Sequence, residues 1–231
     1  MKCLRSPSCG LKDLNHSGCN INDQGLDVIS SALAINKSLK RLNMSDNKNI
    51  SSYGWIACFH SLMDSEVRLE ALNFSRNGID DLVSGELIIL LAKIGTVQSL
   101  CLCGMTGVST NGLCMFANLL RPNSGLRLKE LRIGISYPLR RTNKVFYFFV
   151  EALANNTCLE SLMMCGFDMP DDGEVMLTQI LCNTSSIAAT YHSNHTLQEF
   201  ICTPSDCLPR EVKVLLKANE HTNKADVADG R

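Results

Sequence analysis

The sequence predicts an α/β solenoid, in which short strands and helices alternate and stack along one axis. Three observations carry this prediction: a motif that returns at regular spacing, apolar residues two apart within it, and apolar residues three or four apart after it. The clearest copies are Leu39-Lys-Arg-Leu-Asn-Met-Ser-Asp-Asn47 and Leu69-Glu-Ala-Leu-Asn-Phe-Ser-Arg-Asn77. Relaxed copies begin near residues 11, 97, 128, 159 and 197, which gives about seven units at spacings of 28, 30, 28, 31, 31 and 38 residues.

The motif itself predicts a strand. Its fourth and sixth residues lie two apart, so their side chains point to the same face of an extended chain. We expect that face to line the core. Its members are Leu42/Met44, Leu72/Phe74, Leu100/Leu102, Leu131/Ile133 and Leu162/Met164.

A helix is predicted after each strand, because apolar residues there recur at helical spacing. Examples are Leu26/Ile29/Leu33, Phe59/Met63, Leu87/Leu91 and Phe146/Phe149/Leu153. A strand and a helix cannot bury their own apolar faces, so neighbouring units stack and share one core. A helix layer is wider than a strand layer. We therefore expect a curved horseshoe segment over residues 1–231, a single domain with parallel strands on the concave wall and helices on the convex side.

The ninth position of the unit predicts how the turns are held. Asn47 and Asn77 are expected to turn inward and bond loop backbone that the sheet leaves unpaired. Cys19 takes this place in the first unit. The later units carry Met105, Ser136, Phe167 and Ser205 instead. The later turns should therefore be less regular.

The two ends of the array differ. A closing helix is expected over residues 209–219, because Pro209 suits a first helical turn, and a polar tail over residues 222–231. The insertion at 187–192 accounts for the spacing of 38 residues. The first strand has no cap before it, so we expect an open edge that permits self-association. A longer natural chain is an open alternative.

The period and the form L-x-x-L-x-L-x-x-N/C are the signature of a leucine-rich repeat. Units of 28 to 31 residues with a full helix resemble the ribonuclease-inhibitor type over residues 8 to about 208. The ending from Ser193 to Lys224 is similar to intracellular members from unicellular eukaryotes. This resemblance implies a protein-binding scaffold with no enzymatic activity. A GTPase-activating or other regulatory leucine-rich-repeat protein, or a fragment of a larger receptor or adaptor, remains an alternative.

The composition bears on partners and compartment. A net charge of −1 with 19% charged residues gives no basic footprint, so no nucleic acid is expected, and Arg140 to Lys144 are interpreted as a solvated turn. The longest apolar run, residues 87–92, is too short to cross a membrane. Twelve cysteines without an apolar leader predict a reduced, cytoplasmic protein. Eight Asn-x-Ser/Thr sequons keep a secreted, glycosylated protein open as an alternative.

The side chains that flank the inward row are expected to face the concave wall. The middle column of that wall runs Asn15, Asn43, Asn73, Cys101, Arg132, Met163 and Ile201. It is polar in the first half and more apolar in the second, which is typical of a partner site. The expected partner-binding residues are Arg41, Asn43, Asn73, Cys101, Cys103, Arg132, Met163 and Ile201. Alternatively, the wall has no specific ligand and its asparagines bond one another.

No catalytic residue, metal or cofactor is predicted. Cys101 and Cys103 should face the concave wall, with Cys165 about 10 Å away across two strands, too far for a shared zinc ion. An oxidation-sensitive Cys101/Cys103 pair is kept as an alternative. The histidines at 16, 192 and 195 form no triad. The acidic residues at 80–81 and 171–174 are interpreted as helix caps.

Overall fold

The computed structural model of the protein describes residues 10–65, 67–136, 143–203 and 208–221. These residues form one open sheet of seven parallel strands in chain order, with helices between successive strands. The α/β leucine-rich-repeat solenoid is therefore confirmed. The strands are β1 (Asp13–Asn15), β2 (Arg41–Asn43), β3 (Ala71–Asn73), β4 (Ser99–Met105), β5 (Glu130–Ile135), β6 (Ser161–Cys165) and β7 (Glu199–Thr203).

Each strand begins two residues after the start of its repeat, and the register runs straight across the sheet. Successive Cα partners in the core row are Leu14, Leu42, Leu72, Leu100, Leu131, Leu162 and Phe200. This alignment places equivalent positions of all seven described repeats side by side.

The helices follow the predicted order, with one additional short helix in the 187–192 insertion. They are α1 (Asp23–Leu33), α2 (Ser52–Met63), α3 (Asp81–Ile94), α4 (Thr110–Ala117), α5 (Asn143–Leu153), α6 (Gly173–Leu181), α7 (Ile187–Tyr191) and α8 (Arg210–His221). Each of the first four helices, α1 to α4, begins after an N-cap residue whose side chain accepts a backbone N–H of the first turn. These N-cap residues are Asn22, Ser51, Asp80 and Ser109.

The core lies between the sheet and the helices. All ten strand residues that were predicted to face inward are buried. The predicted helix residues are buried as well, except Met63. Met63 is half-buried, and its neighbour Leu62 is buried in its place. Three of the largest buried side chains meet at the second and third repeats. The rings of Trp55 and Phe59 pack on Phe74 with centroid distances of 5.1 and 5.8 Å.

The inward asparagine ladder is confirmed at the second and third repeats. Asn77 is fully buried, and its Nδ2 donates to the carbonyls of Met44 and Phe74. Asn47 Nδ2 donates in the same way to His16 and Met44 carbonyls. Each amide thus joins two neighbouring turns.

The ladder is lost in the later repeats, as expected. Met105 and Phe167 are buried at the equivalent place and carry no backbone-bonding group. Strands β4 to β7 extend for five to seven residues where β1 to β3 have three, and the pairing of β4 with β5 shifts between Leu102 and Met105. Ser205 lies outside the described residues.

A second set of asparagines, which the sequence analysis did not identify, holds the backbone just before the strands begin. Asn36, Asn156 and Asn194 are buried, and the Oδ1 of each accepts the backbone N–H of the leucine three residues later. Asn194 Nδ2 also donates to the carbonyls of Leu153 and Asn156. The shared pattern Asn-x-Ser/Thr/Cys-Leu was a signal for this role. Two of the eight sequons, at Asn36 and Asn194, are therefore buried structural positions.

The acidic pairs are caps only in part. Asp80 caps α3 through the N–H of Val83, as predicted. Asp81 instead accepts from the N–H and Oγ of Ser109, the cap of the next helix. Asp172 precedes α6, but its own backbone is helical at φ −92° and ψ −1°, so its carboxylate does not reach the helix amides. It accepts from the Tyr147 hydroxyl at 2.9 Å.

The last described helix, α8, runs over Arg210–His221, where a helix was expected over 209–219. Asn219 lies within α8, and its Nδ2 donates to the carbonyls of Asn194 and Leu197. The exposed helix α7 forms the insertion, with Ile187 fully at the surface. The polar tail at 222–231 and most of the basic run at 140–144 lie outside the described residues.

Candidate functional site

The concave wall is a continuous surface of side chains that alternate with the core row. Its middle column is contiguous, because each member is the Cα partner of the next: Asn15, Asn43, Asn73, Cys101, Arg132, Met163 and Ile201. The structure thus brings the expected partner-binding residues onto one surface, in the predicted order.

The asparagines of this column do not bond one another, contrary to the alternative considered above. The Oδ1 of Asn15, Asn43 and Asn73 accepts the backbone N–H of the serine two residues later, at 2.9 to 3.0 Å. This local turn is a common asparagine motif. The three amides are thereby held in one orientation along the wall.

A hollow of about 420 Å³ lies over the first five strands of the wall. Five of the eight expected residues line it: Arg41, Asn43, Asn73, Cys101 and Arg132. The depth of this hollow comes from the residues at which the strands begin, which are Cα partners across the sheet. Ala71 and Ser99 are small and lie between the larger side chains of Arg41 and Glu130, so the surface drops in the middle.

Two ion pairs border this hollow. The guanidinium of Arg41 holds both carboxylate oxygens of Asp13, with Nη2 to Oδ2 at 2.7 Å, and lowers the pKa of that carboxyl group. At the other border, Arg132 Nε donates to Glu130 Oε1 at 2.6 Å. Both pairs are exposed, so they define polar borders and contribute little to stability.

The remaining expected residues lie beyond the hollow. Met163 and Ile201 are half-buried neighbours on β6 and β7 and form the apolar end of the middle column. A second, larger hollow of about 660 Å³ lies between α6 and α8, lined by residues such as Cys182 and Val214. None of the expected partner-binding residues reaches it.

The predicted distance between Cys103 and Cys165 is wrong. Their Sγ atoms are 3.3 Å apart, although the cysteines lie on β4 and β6 with β5 between them. Gly134 of β5 is the Cα partner of Cys165, and a Cβ atom placed on it would meet both Cβ and O of Cys165 at 2.5 Å. Because Gly134 has no side chain, the two thiols meet above it. The sequence estimate counted strands and ignored this gap.

The titration of Cys101 is linked to that of Cys103. A hydrogen bond from Cys103, reinforced by Ser75 and by the positive charge of Arg132, lowers the pKa of Cys101 to about 6. Ser75 Oγ lies 3.0 Å from Cys101 Sγ and accepts the backbone N–H of Cys103.

Cys103 interacts with both of the other thiols. Its bonds to Cys101 and Cys165 raise its pKa, and the same bond lowers the pKa of Cys165 to about 7. Cys103 has one S–H and two neighbours, so the three thiols titrate as one group. Sequence reasoning found Cys101 and Cys103 but placed Cys165 outside this group.

Comparison with known proteins yields no matching family model. The chain is 27% identical over 193 residues, 81% of its length, to human NACHT, LRR and PYD domains-containing protein 14. It is 25% identical over 227 residues, 97% of its length, to human NACHT, LRR and PYD domains-containing protein 12. It is 28% identical over 151 residues, 65% of its length, to the protein phosphatase 1 regulatory subunit 37 homolog of Caenorhabditis briggsae.

The chain is similar to leucine-rich-repeat proteins.

Among solved structures, the leucine-rich-repeat sheet is similar to the C-terminal domain of tropomodulin from Caenorhabditis elegans. The TM-score is 0.54 at 14% identity, covering 89% of this chain and 99% of that one. A likeness at this identity concerns the fold alone. The leucine-rich-repeat chain spans only 17%, 20% and 16% of the length of the three curated relatives.

No described helix is long and apolar enough to cross a membrane. No group of three or more His, Cys, Asp or Glu side chains in the described ranges is arranged to hold a metal ion.

Proposed function

We propose that the protein is a non-enzymatic scaffold that binds a protein partner on its concave wall. The observation that carries the proposal is the hollow over β1 to β5, which gathers Arg41, Asn43, Asn73, Cys101 and Arg132 between two ion pairs. Oriented amides and paired charges suit the polar part of a protein interface, and Met163 and Ile201 supply an apolar part beside it.

The comparisons support this proposal at a coarse level. One curated relative is named as a regulatory subunit of a phosphatase, and the others carry leucine-rich repeats in their names. The identity of the partner follows from none of these names. We further propose that residues 1–231 act as one domain, that the repeats are of the ribonuclease-inhibitor type, and that the protein is cytoplasmic. Free thiols at the nine described cysteines and the burial of two sequons support the last point.

The test is a quantitative pull-down from lysate with the wild type and an Arg132→Glu/Met163→Asp double variant. Both positions face the concave wall and neither lines the core, so the fold should persist. We expect a subset of the captured proteins to be lost, because the variant reverses one charge and places another in the apolar end of the column.

A matched control places the same charge change on the convex helix α3. Lys93→Glu/Leu82→Asp alters two exposed side chains, and the net charge falls by the same amount. This control should keep the wild-type set of captured proteins. Identical sets for all three proteins would remove the concave wall as the binding site, and loss in the control alone would move the site to the helices.

A second candidate is that this chain acts as a segment of a larger regulatory protein, a receptor or an adaptor. It rests on the small share of each relative that the chain spans. A GTPase-activating protein is one regulatory form of this candidate. A single-turnover GTP hydrolysis assay with a panel of small GTPases separates it from a scaffold, since a scaffold leaves the intrinsic rate unchanged.

A further inference from the structure

Three asparagines begin the middle column of the concave wall, and they form a surface that we call the amide row: Asn15, Asn43 and Asn73. All three line the hollow over the first strands. On the basis of the proposed function, we infer that the amide row binds an acidic segment of the protein partner. The Asp and Glu carboxylates of that segment accept hydrogen bonds from the side-chain amino groups of the row.

The orientation of the amides is the first support. Each Oδ1 atom of the amide row accepts the backbone N–H of the serine two residues later. A backbone N–H only donates, so the oxygen is the atom in the turn and the Nδ2 amino group is left for other partners. None of the three Nδ2 groups bonds another described residue. The row thus offers three donors, on residues one strand spacing of about 4.8 Å apart.

The charged acceptors of the same hollow are already used. Arg41 holds both carboxylate oxygens of Asp13. Glu130 accepts from Arg132 Nε through Oε1 and from the Ser99 hydroxyl through Oε2, at 2.6 and 2.7 Å. A ligand over the row therefore meets available donors and occupied carboxylates. An ionised carboxylate suits that surface, because it only accepts and its bonds to N–H donors are stronger than those of neutral acceptors.

Positive charge beside the row favours the same partner. A hollow of about 550 Å³ is lined by residues such as Lys48, Arg76 and Gly104. Arg76 follows Asn73 by three residues, so their Cα atoms are at most about 11 Å apart. No described carboxylate forms an ion pair with Arg76, and Lys48 makes one long contact, at 3.6 Å, to Asp46. This charge attracts an acidic segment and repels a basic one.

The backbone at Arg76 provides a direct way to test that charge. Its φ is +57°, in the left-handed region, and Gly104, the equivalent residue of the next repeat, has a φ of +73°. The Arg76 stem packs on the Gly104 backbone, where an added Cβ would come within 3.1 Å of Arg76 Cγ. Glycine adopts the left-handed conformation more readily than arginine does. Arg76→Gly therefore removes the charge without straining the turn.

The experiment selects a displayed library of random peptides on the full chain at low salt. We expect the retained peptides to be enriched in Asp and Glu relative to the unselected library. Their binding should weaken as salt is added, because salt screens the attraction between exposed charges. Enrichment of basic or apolar peptides, or no enrichment at all, would overturn the inference.

An isosteric variant tests the amide row itself. Asn43→Asp/Asn73→Asp replaces two amino donors with carboxylate oxygens and keeps an oxygen for each turn, so the selected acidic peptides should bind about tenfold more weakly or worse. The matched control is Asn123→Asp/Asn183→Asp. Asn123 is exposed, and Asn183 Oδ1 accepts the Ser185 N–H at 3.1 Å in the same kind of turn, away from the concave wall. Equal losses in both variants would show that net charge, and not the row, governs binding.

Arg76→Gly should weaken binding of the same peptides by about threefold or more without lowering the melting temperature. Arg127→Gly is its control, since Arg127 is exposed and lines neither hollow, and it should keep the wild-type affinity. An unchanged affinity of Arg76→Gly would remove this arginine from the binding surface.

The pull-down separates failure of this inference from failure of the proposed function. If Arg132→Glu/Met163→Asp loses captured proteins while Asn43→Asp/Asn73→Asp keeps them all, the wall binds a partner through something other than an acidic segment. If both variants keep the wild-type set, the concave wall is not the binding site.

Discussion

The backbone N–H of Asn47 donates to the Oδ1 of Asn77 at 2.8 Å, so the turn of one repeat is held by the side chain of the next. The same Asn77 amide donates back to the Met44 carbonyl of the earlier repeat. Since both residues are fully buried, no water replaces these bonds if one partner is removed. The repeats are therefore coupled through polar contacts as well as through their apolar core.

Asn77→Ala should destabilise the protein by roughly 3 kcal/mol, because it leaves the buried Asn47 N–H and the Phe74 carbonyl without this partner and takes one of two bonds from the Met44 carbonyl. Urea unfolding followed by circular dichroism measures the change. The control is Asn73→Ala, a half-buried asparagine of the same repeat with a single bond to the Ser75 N–H, which should cost about 1 kcal/mol. Equal losses for both variants would contradict the coupling role of Asn77.

Gly134→Ala should cost roughly 2 kcal/mol, because the added methyl group overlaps Cys165 and forces β5 and β6 apart. Gly78→Ala is the control, since a Cβ there meets nothing within 4 Å, and its effect should stay within about 0.5 kcal/mol. Thermal and urea unfolding report both changes. If Gly134→Ala were as mild as Gly78→Ala, the close approach of Cys165 to β5 would be wrong.

Alkylation of Cys101 by iodoacetamide should stay fast down to about pH 6 and slow below it, because its pKa is lowered to about 6 and only the thiolate reacts. Falling pH protonates the thiolate, so the rate falls with pH. Cys58 should remain unlabelled at pH 7, since burial raises its pKa to about 12. Rates at each cysteine are read by peptide mass spectrometry.

Two variants test the causes of that lowered pKa. Cys103→Ala removes the largest one, the hydrogen bond, and should move the inflection of the Cys101 rate to higher pH. Arg132→Ala removes only a charge that contributes less and should give a smaller move in the same direction. The reverse order would show that the charge of Arg132 dominates.

The edge strand β1 should exchange its amides faster than the interior strands. Among the described strands it pairs on one side only, with β2, and Leu14 is half-buried where Leu72 of β3 is buried. Hydrogen exchange by mass spectrometry compares the two strands.

Edge-to-edge self-association at the same strand should be visible by sedimentation velocity at increasing concentration. Leu11→Lys, at a position 37% exposed, should reduce it, because a lysine beside an edge strand disfavours pairing with another chain. A monomer at all concentrations, with slow exchange at Leu14, would show that this edge is adequately covered.

The core and the order of strands and helices were readable in the sequence because they depend on local periodicity. Leu42 and Met44, or Leu26 and Ile29, face the core by virtue of spacing alone, and a repeated unit multiplies that signal. The roles of Asn47 and Asn77 followed from the motif as well. The roles of Asn36, Asn156 and Asn194 were missed, although each precedes its leucine by three residues and bonds the N–H of that leucine, a local pattern that the motif did not include.

What the sequence determined by itself is the leucine-rich-repeat fold and the membership of the concave wall, because a period near 28 residues and an alternation of two specify both. Tertiary structure alone decided which wall residues meet. The hollow depends on the sizes of Ala71 and Ser99 beside Arg41 and Glu130, and the Cys103–Cys165 contact depends on the missing side chain of Gly134. Such contacts join residues far apart in the chain, and no local pattern encodes the distance between their side chains.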